Sequence, residues 1–238
     1  MSVPMSAPIA LADYRHIVFF VGAGMSVESG MPTYRGRGGI WAQYDYESYA
    51  CQRAFERDPL KVLDFHELRR GKALGCAPHA GHLALARWQR AHPALHVVTQ
   101  NIDGLLQRAG VTVAAELHGS LWRQRCAAHG IREDLDGGAY RMRRCEHCNA
   151  WLRPDITWFE DMVNEDVFAR AAELIGETTL FVAVGTSAGV YPAAGFIPLA
   201  QRSGARMVEI NPEATEASER FAETRRVAAS ALDNCFTL

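Results

Sequence analysis

The 238-residue sequence is short of several things, and each shortage narrows what the chain can be. No apolar run approaches the roughly 20 residues that a membrane-spanning helix needs. The opening "MSVPMSAPIALADYRH" has neither the basic head nor the unbroken apolar stretch of a secretory leader. Charge of one sign is also lacking: a net charge of -2 offers no general attraction to nucleic acid or to an anionic membrane, and the local cluster Arg141, Arg143, Arg144 reads as a solvated face. Lysine is nearly missing, since Lys61 and Lys72 are the only two among 25 basic residues, which fits a GC-rich coding sequence better than a function. There is no repeat, low-complexity tract or linker. These absences predict a cytoplasmic, monomeric globular protein with no nucleic acid or membrane as direct partner. In that reducing compartment the six cysteines are read for metal rather than for disulfides.

A third glycine is missing too. "HIVFFV" (16–21) runs into Gly22-Ala23-Gly24, as a strand does before a helix whose N-terminus cradles a pyrophosphate. The next glycine of G-x-G-x-x-G falls on Val27, and Gly30 and Pro32 stop the helix within about two turns. Both features disfavour a hydride-transferring dehydrogenase.

What is present is strand and helix in alternation. With 48% hydrophobic residues, the chain can bury a full core. Consecutive apolar residues mark buried parallel strands at 16–21, 95–99, 179–184 and 205–210, with a weaker one at 111–117. Helical patterns cover about 53–71, 80–91, 103–109, 165–175 and 193–203. The fold class is α/β, a doubly wound, Rossmann-like parallel sheet. Residues 36–75 and 120–158 do not fit it and are expected to form a small inserted domain, a helical part and a ribbon part. That leaves 1–35, 76–119 and 159–238 to the dinucleotide-binding domain.

In such a sheet ligands sit at the carboxyl ends of the strands. Those ends deliver Gly22, Ala23, Gly24 and Ser26; Gln100, Asn101 and Asp103; His118; Gly185, Thr186 and Ser187; and Asn211. Any one set can be mere turn chemistry. Five on one edge indicate a shared crevice.

The blocks "GAGMSVESGMPTYRG" (22–36), "TQNIDGL" (99–105), "ELHG" (116–119) and "GTSAGVYP" (185–192) resemble, in order, the signature blocks of the sirtuins, NAD-dependent protein lysine deacylases. The resemblance, of bacterial type, implies that NAD is a consumed co-substrate and that the acyl group of an acyl-lysine protein or peptide passes to ADP-ribose as nicotinamide leaves. By that resemblance Asn101 organises the ribose face, Asp103 and Ile102 meet the nicotinamide, and His118 is the base that takes a proton from a ribose hydroxyl. Departure of nicotinamide leaves an oxocarbenium-like centre, so the weakly nucleophilic acyl oxygen has to be held in line with water excluded. Histidine, with a pKa of about 6.5, supplies a neutral base near neutral pH.

The resemblance also assigns a flap, Arg35 to Trp41, hinged on Gly36, Gly38 and Gly39 over the cofactor. It gives Ser26 and Ser187 phosphate or ribose oxygens, Arg35 the pyrophosphate, and Asn211 the adenosine ribose. Tyr34 stands where phenylalanine is usual, and Ala229 is the remaining adenine contact in a segment lacking its glycine. Phe159 and Val190 would line the acyl-lysine tunnel, and Glu160 replaces a glycine there, restricting how closely a peptide backbone approaches.

Two departures bear on metal and substrate. The family's two C-x-x-C pairs are here Cys126-x-x-His129 and Cys145-x-x-Cys148, a set that still suits one tetrahedral structural zinc. The alternative is a decayed site with His129 exposed. His66 and Arg69, three apart on one helix, occupy the position where sirtuins that remove acidic acyl groups carry Tyr-x-x-Arg. Arg69 could then pair with a succinyl or malonyl carboxylate and His66 donate a hydrogen bond; the alternative is a charged solvent face. ADP-ribosyl transfer or NAD hydrolysis would use the same cleft, whereas a non-catalytic NAD sensor would require loss of His118.

Overall fold

The computed structural model describes residues 7–35, 38–187, 189 and 191–238. Its centre is a six-stranded, all-parallel sheet in the order β10-β9-β8-β2-β3-β4, built from β2 (Ile17–Val21), β3 (Leu95–Thr99), β4 (Val113–Glu116), β8 (Leu180–Val184), β9 (Arg206–Ile210) and β10 (Glu223–Arg225). β2 pairs over its full length with β3 on one side and β8 on the other. All five of its residues are buried, because both faces of the sheet are covered. Ile17, Phe19 and Val21 pack with Leu85 and Trp88 of α4 (Ala80–Ala91) and with Leu232. Val18 and Phe20 pack with Ile175 of α6 (Glu165–Gly176) and Phe196 of α7 (Phe196–Arg202).

The predicted strands and helices fall within a few residues of the observed ones, with three informative differences. The single helix expected at 53–71 is two, α2 (Gln52–Arg57) and α3 (Pro59–Leu74). Proline disfavours a helical residue before it, so Asp58 leaves the helical region at φ -148° and caps α3 by accepting from the Lys61 amide at 3.1 Å. The helix expected at 103–109 shrinks to α5 (Leu105–Arg108) after Gly104. β10 had no apolar signal, since a short edge strand buries little and carries polar residues freely. The termini add a two-stranded parallel pair, β1 (Ile9–Ala10) with β11 (Phe236–Thr237).

β4 leads through His118 directly into a second, antiparallel sheet, β6-β5-β7, of β5 (Gly119–Cys126), β6 (Gly130–Glu133) and β7 (Arg153–Ile156). The crossover needs glycine. Gly119 has φ +74°, and a Cβ there would lie 2.0 Å from the Asp155 carbonyl oxygen. A third apolar cluster joins α2 and α3 to Leu121 and Trp122 of β5, Ile156 of β7, Tyr140 and Trp158. Its polar pin is Arg70. The fully buried guanidinium pairs with Asp134 at 2.8 Å and donates to the Leu121, Asp134, Asp136 and Gly137 carbonyls. It lies between the Trp122 and Tyr140 rings. Among the described residues no helix is long and apolar enough to cross a membrane.

Candidate active site

From β2 the chain moves outward through β3 and β4, then returns to β8 and moves the other way, so the order reverses between β2 and β8. That reversal opens a crevice at the carboxyl ends of these two strands. The glycines there bring backbone against backbone. The Gly24 amide donates to the Gly185 carbonyl at 2.7 Å, and a Cβ on Gly22 or Gly24 would come within 2.7 or 2.6 Å of the Gly185 turn, itself at φ +58°. After β2 the chain makes a single 3-10 turn, Ala23–Ser26, rather than an α-helix. His79 closes it by donating from Nε2 to the Met25 carbonyl at 2.7 Å.

The truncation leaves a cavity lined by Ala23, Ser26, Met31, Tyr34, Arg69, Asn101, Ile102 and Asp103, with Pro32 beside them. At its centre is a buried network. Ser26 donates to Asp103 Oδ2 at 2.8 Å, Asn101 Nδ2 reaches the Gly22 carbonyl at 3.0 Å and Ser26 Oγ at 3.4 Å, and Asp103 Oδ1 accepts from the Leu105 amide at 2.9 Å. Burial pushes the Asp103 carboxyl above its usual range, partly opposed by these hydrogen bonds. The Ser26 hydroxyl, expected to meet a phosphate or ribose oxygen, is here spent on Asp103.

His118 sits beyond Gln100. Its Nδ1 is 3.0 Å from the Gln100 carbonyl, which can only accept, so the proton is on Nδ1 and Nε2 carries the lone pair. Burial lowers its pKa, helped by the Arg35 charge despite the Gln100 bond. The Gln100 side chain reaches Thr186 at 3.0 Å, and Asn211 donates to the Thr186 carbonyl at 3.2 Å. The five strand-end sets therefore do converge on one edge. Arg226, which no local pattern singles out, fixes the last of them by donating to Glu209 and to the Asn211 and Glu213 carbonyls.

At the rim Arg35 and Ser187 are exposed. Trp41 stands 5.8 Å from the Tyr34 ring and 5.5 Å from the ring of Phe159, a residue that is 44% exposed, with the Arg35 guanidinium 5.9 Å from that ring's centre. Glu160 points to Arg53 at 3.1 Å. Ala229 is buried, its carbonyl pressed against Gly81 of α4. Gly36 and Val190 lie outside the described residues.

His66 and Arg69 part company. Neither belongs to a solvent face, being 3% and 8% exposed. Arg69 lines the cavity, with its guanidinium 4.9 Å over the Tyr34 ring and 3.4 Å from the Tyr34 hydroxyl. Its Nε has no partner, and among the described residues no carboxylate forms an ion pair with it. His66 is directed inward instead. Nδ1 donates to the Val62 carbonyl at 2.8 Å, Nε2 accepts from Trp158 at 3.4 Å, and burial drops its pKa to about 4. The expected hydrogen bond from His66 to an acyl group has no donor left to make it.

The Cys126, His129, Cys145 and Cys148 donor atoms all lie within 4.8 Å of one another. His129 Nδ1 is 3.5 Å from both Cys126 Sγ and Cys145 Sγ, and Cys126 Sγ is 3.5 Å from Cys148 Sγ. Ligands around a tetrahedral zinc stand about 3.5 Å (N to S) and about 3.8 Å (S to S) apart, so the set fits a Cys3His structural zinc. His129 is drawn into the cluster by the tight β5–β6 turn.

Comparison with known proteins accords with this geometry. Residues 22–192 match the model of the Sir2 family. The chain is 42% identical over 210 residues to an NAD-dependent protein deacylase of Pyrobaculum aerophilum, covering 88% of this chain and 84% of that one. It superposes with a TM-score of 0.89 on a Sir2 homologue variant in complex with ADP-ribose, at 33% identity over 94% of this chain and 91% of that one. With a Sir2 homologue in complex with NAD the TM-score is 0.86, at 32% identity over 97% and 94% of the two chains.

Proposed function

The chain belongs to the Sir2 family, and on that premise we propose how its cleft performs NAD-dependent protein lysine deacylation. NAD supplies the glycosidic bond whose cleavage releases nicotinamide and leaves ADP-ribose to take the acyl group. Gly22, Ala23, Gly24, Gly185, Thr186, Ser187, Arg35 and Asn211 would hold it, while Asn101, Ile102 and Asp103 form the inner wall where the short turn ends. Trp41, Tyr34 and Phe159 would exclude water above it, and Ala229 is assigned to the adenine side.

The observation that carries the reading is the state of His118. Its Nδ1 proton is committed to Gln100 and burial disfavours a second proton, so Nε2 is a neutral base available to a ribose hydroxyl. Residues 36–75 and 120–158, the latter holding zinc through Cys126, His129, Cys145 and Cys148, are read as the small domain. A cytoplasmic setting is part of the same reading, with the three cysteines outside the metal cluster, Cys51, Cys76 and Cys235, buried.

The acyl group is read as acidic, succinyl or malonyl. Support comes from Arg69, a nearly buried guanidinium that among the described residues makes no ion pair with a carboxylate and whose Nε is unbonded, in the same cavity as Asn101 and Asp103. A distal carboxylate would supply the missing partner. Only Arg69 is assigned this contact; His66 shapes the wall through Trp158.

Mass analysis of products from NAD with matched acetyl-, succinyl- and longer acyl-lysine peptides tests the proposal. One nicotinamide and one O-acyl-ADP-ribose per acyl group removed are expected. NAD consumed while every peptide keeps its acyl group would instead indicate ADP-ribosyl transfer or NAD hydrolysis.

A further inference from the structure

The loop that carries Asp103 is held from beneath by the ribbon strand. The Leu121 amide donates to the Ile102 carbonyl at 3.0 Å, and the Trp122 indole Nε1 donates to the Asp103 carbonyl at 2.8 Å. Both donors belong to β5, and the bonds lie out of solvent. Just past the second point of attachment the chain has no slack. Gly104 is in the left-handed region at φ +78°, and a Cβ on it would lie 2.4 Å from Trp122 Nε1. The indole is itself immobilised, because Arg70 stacks 4.8 Å over it and bonds the neighbouring Leu121 carbonyl at 2.8 Å.

We propose that Trp122 is a positioning residue for Asp103, setting through its indole N–H where that carboxyl stands in the cavity and hence how nicotinamide is held there. The inference rests on the reading of Asp103 as the nicotinamide contact. A backbone carbonyl on a short turn moves with its own side chain, so freeing the Asp103 carbonyl lets the peptide unit rotate and takes Oδ2 off Ser26. A buried carbonyl without a donor is also unfavourable enough to drive such a rotation. The ribbon thereby contributes to the cofactor cleft without touching cofactor.

The test uses the full-length, zinc-loaded protein with Trp122→Phe, together with a protein carrying benzothienylalanine at position 122, which keeps the shape of indole and lacks only the N–H donor. The readout is exchange of labelled nicotinamide into NAD, with zinc content and melting midpoint measured alongside. We expect the benzothienylalanine protein to keep its zinc and its midpoint while the nicotinamide concentration for half-maximal exchange rises about fivefold, the factor a lost buried hydrogen bond gives. Trp151→Phe, a ribbon tryptophan stacked on Arg144, should leave exchange unchanged. Unchanged exchange in the benzothienylalanine protein, with Asp103→Asn impairing it, overturns the positioning role alone. Unchanged exchange in Asp103→Asn overturns the underlying reading instead.

Discussion

The His118 imidazole gives its Nδ1 proton to the Gln100 carbonyl 3.0 Å away, so the tautomer at the reacting nitrogen is set by main chain of the neighbouring strand end. Because burial lowers the His118 pKa below its ordinary value, the ring loses its function as a base only in acid. The acid limb of the kcat/KM profile for deacylation should therefore be centred below pH 6.5. His118→Ala should lose about 10²- to 10⁴-fold in rate, the usual contribution of a general base. An acid limb centred above 6.5 would contradict the assignment.

Arg69 is the cation of the cavity, and Arg69→Met keeps most of its apolar stem while removing the charge. The succinyl-to-acetyl ratio of kcat/KM is expected to fall by about 10- to 100-fold, the range of a charge-assisted hydrogen bond worth roughly 1.5–3 kcal/mol. An unaltered ratio would leave Arg69 with only its contact to Tyr34.

Two buried histidines make the fold sensitive to acid. Burial drops His66 to about 4 and His82 to about 3, while the unfolded chain takes up a proton near 6.5. As pH falls from 6.5 toward 4, the unfolded state gains protons that the native state refuses, so stability decreases through that window and is regained as pH rises. For His66 the span is worth about 3 kcal/mol at most. Denaturant midpoints at pH 7 and pH 5 give the check, and His66→Phe should flatten the difference between them.

Zinc should be present at about one per chain, with His129→Ala well below that under equal metal supply, since three thiolates leave the tetrahedron open. Elemental analysis reads both. An unchanged stoichiometry in His129→Ala would exclude the histidine as a ligand.

Arg70→Leu leaves Asp134 buried without its partner and should cost about 3–5 kcal/mol of stability. Arg70→Leu with Asp134→Leu should cost less, because no charge is then left uncompensated in the core. Equal losses in the single and double variants would show that the carbonyl contacts of Arg70, not its ion pair, matter.

The strand ends were readable because parallel strands announce themselves by consecutive apolar residues, and the polar groups that follow them have one place to go. The split between α2 and α3 was carried by Asp58-Pro59, a local signal masked by apolar spacing on both sides. Arg70 and Trp122 were not readable. A guanidinium in "ELRRGK" looks solvated, and nothing local says that it lies between Trp122 and Tyr140, residues 52 and 70 positions away in sequence.

By itself the sequence determined the parallel sheet, the early end of the first turn and the set of polar residues along one edge. Each follows from neighbours in the chain: backbone freedom at glycine, the missing donor of proline, the spacing of apolar side chains. Tertiary structure alone decided that Arg69 enters the cavity while His66 turns beneath Trp158, and it decided between the two readings of His129 by bringing its ring within 4.8 Å of all three thiols. Which way a helix face or a ribbon turn points depends on what packs against it, and those partners are distant in sequence.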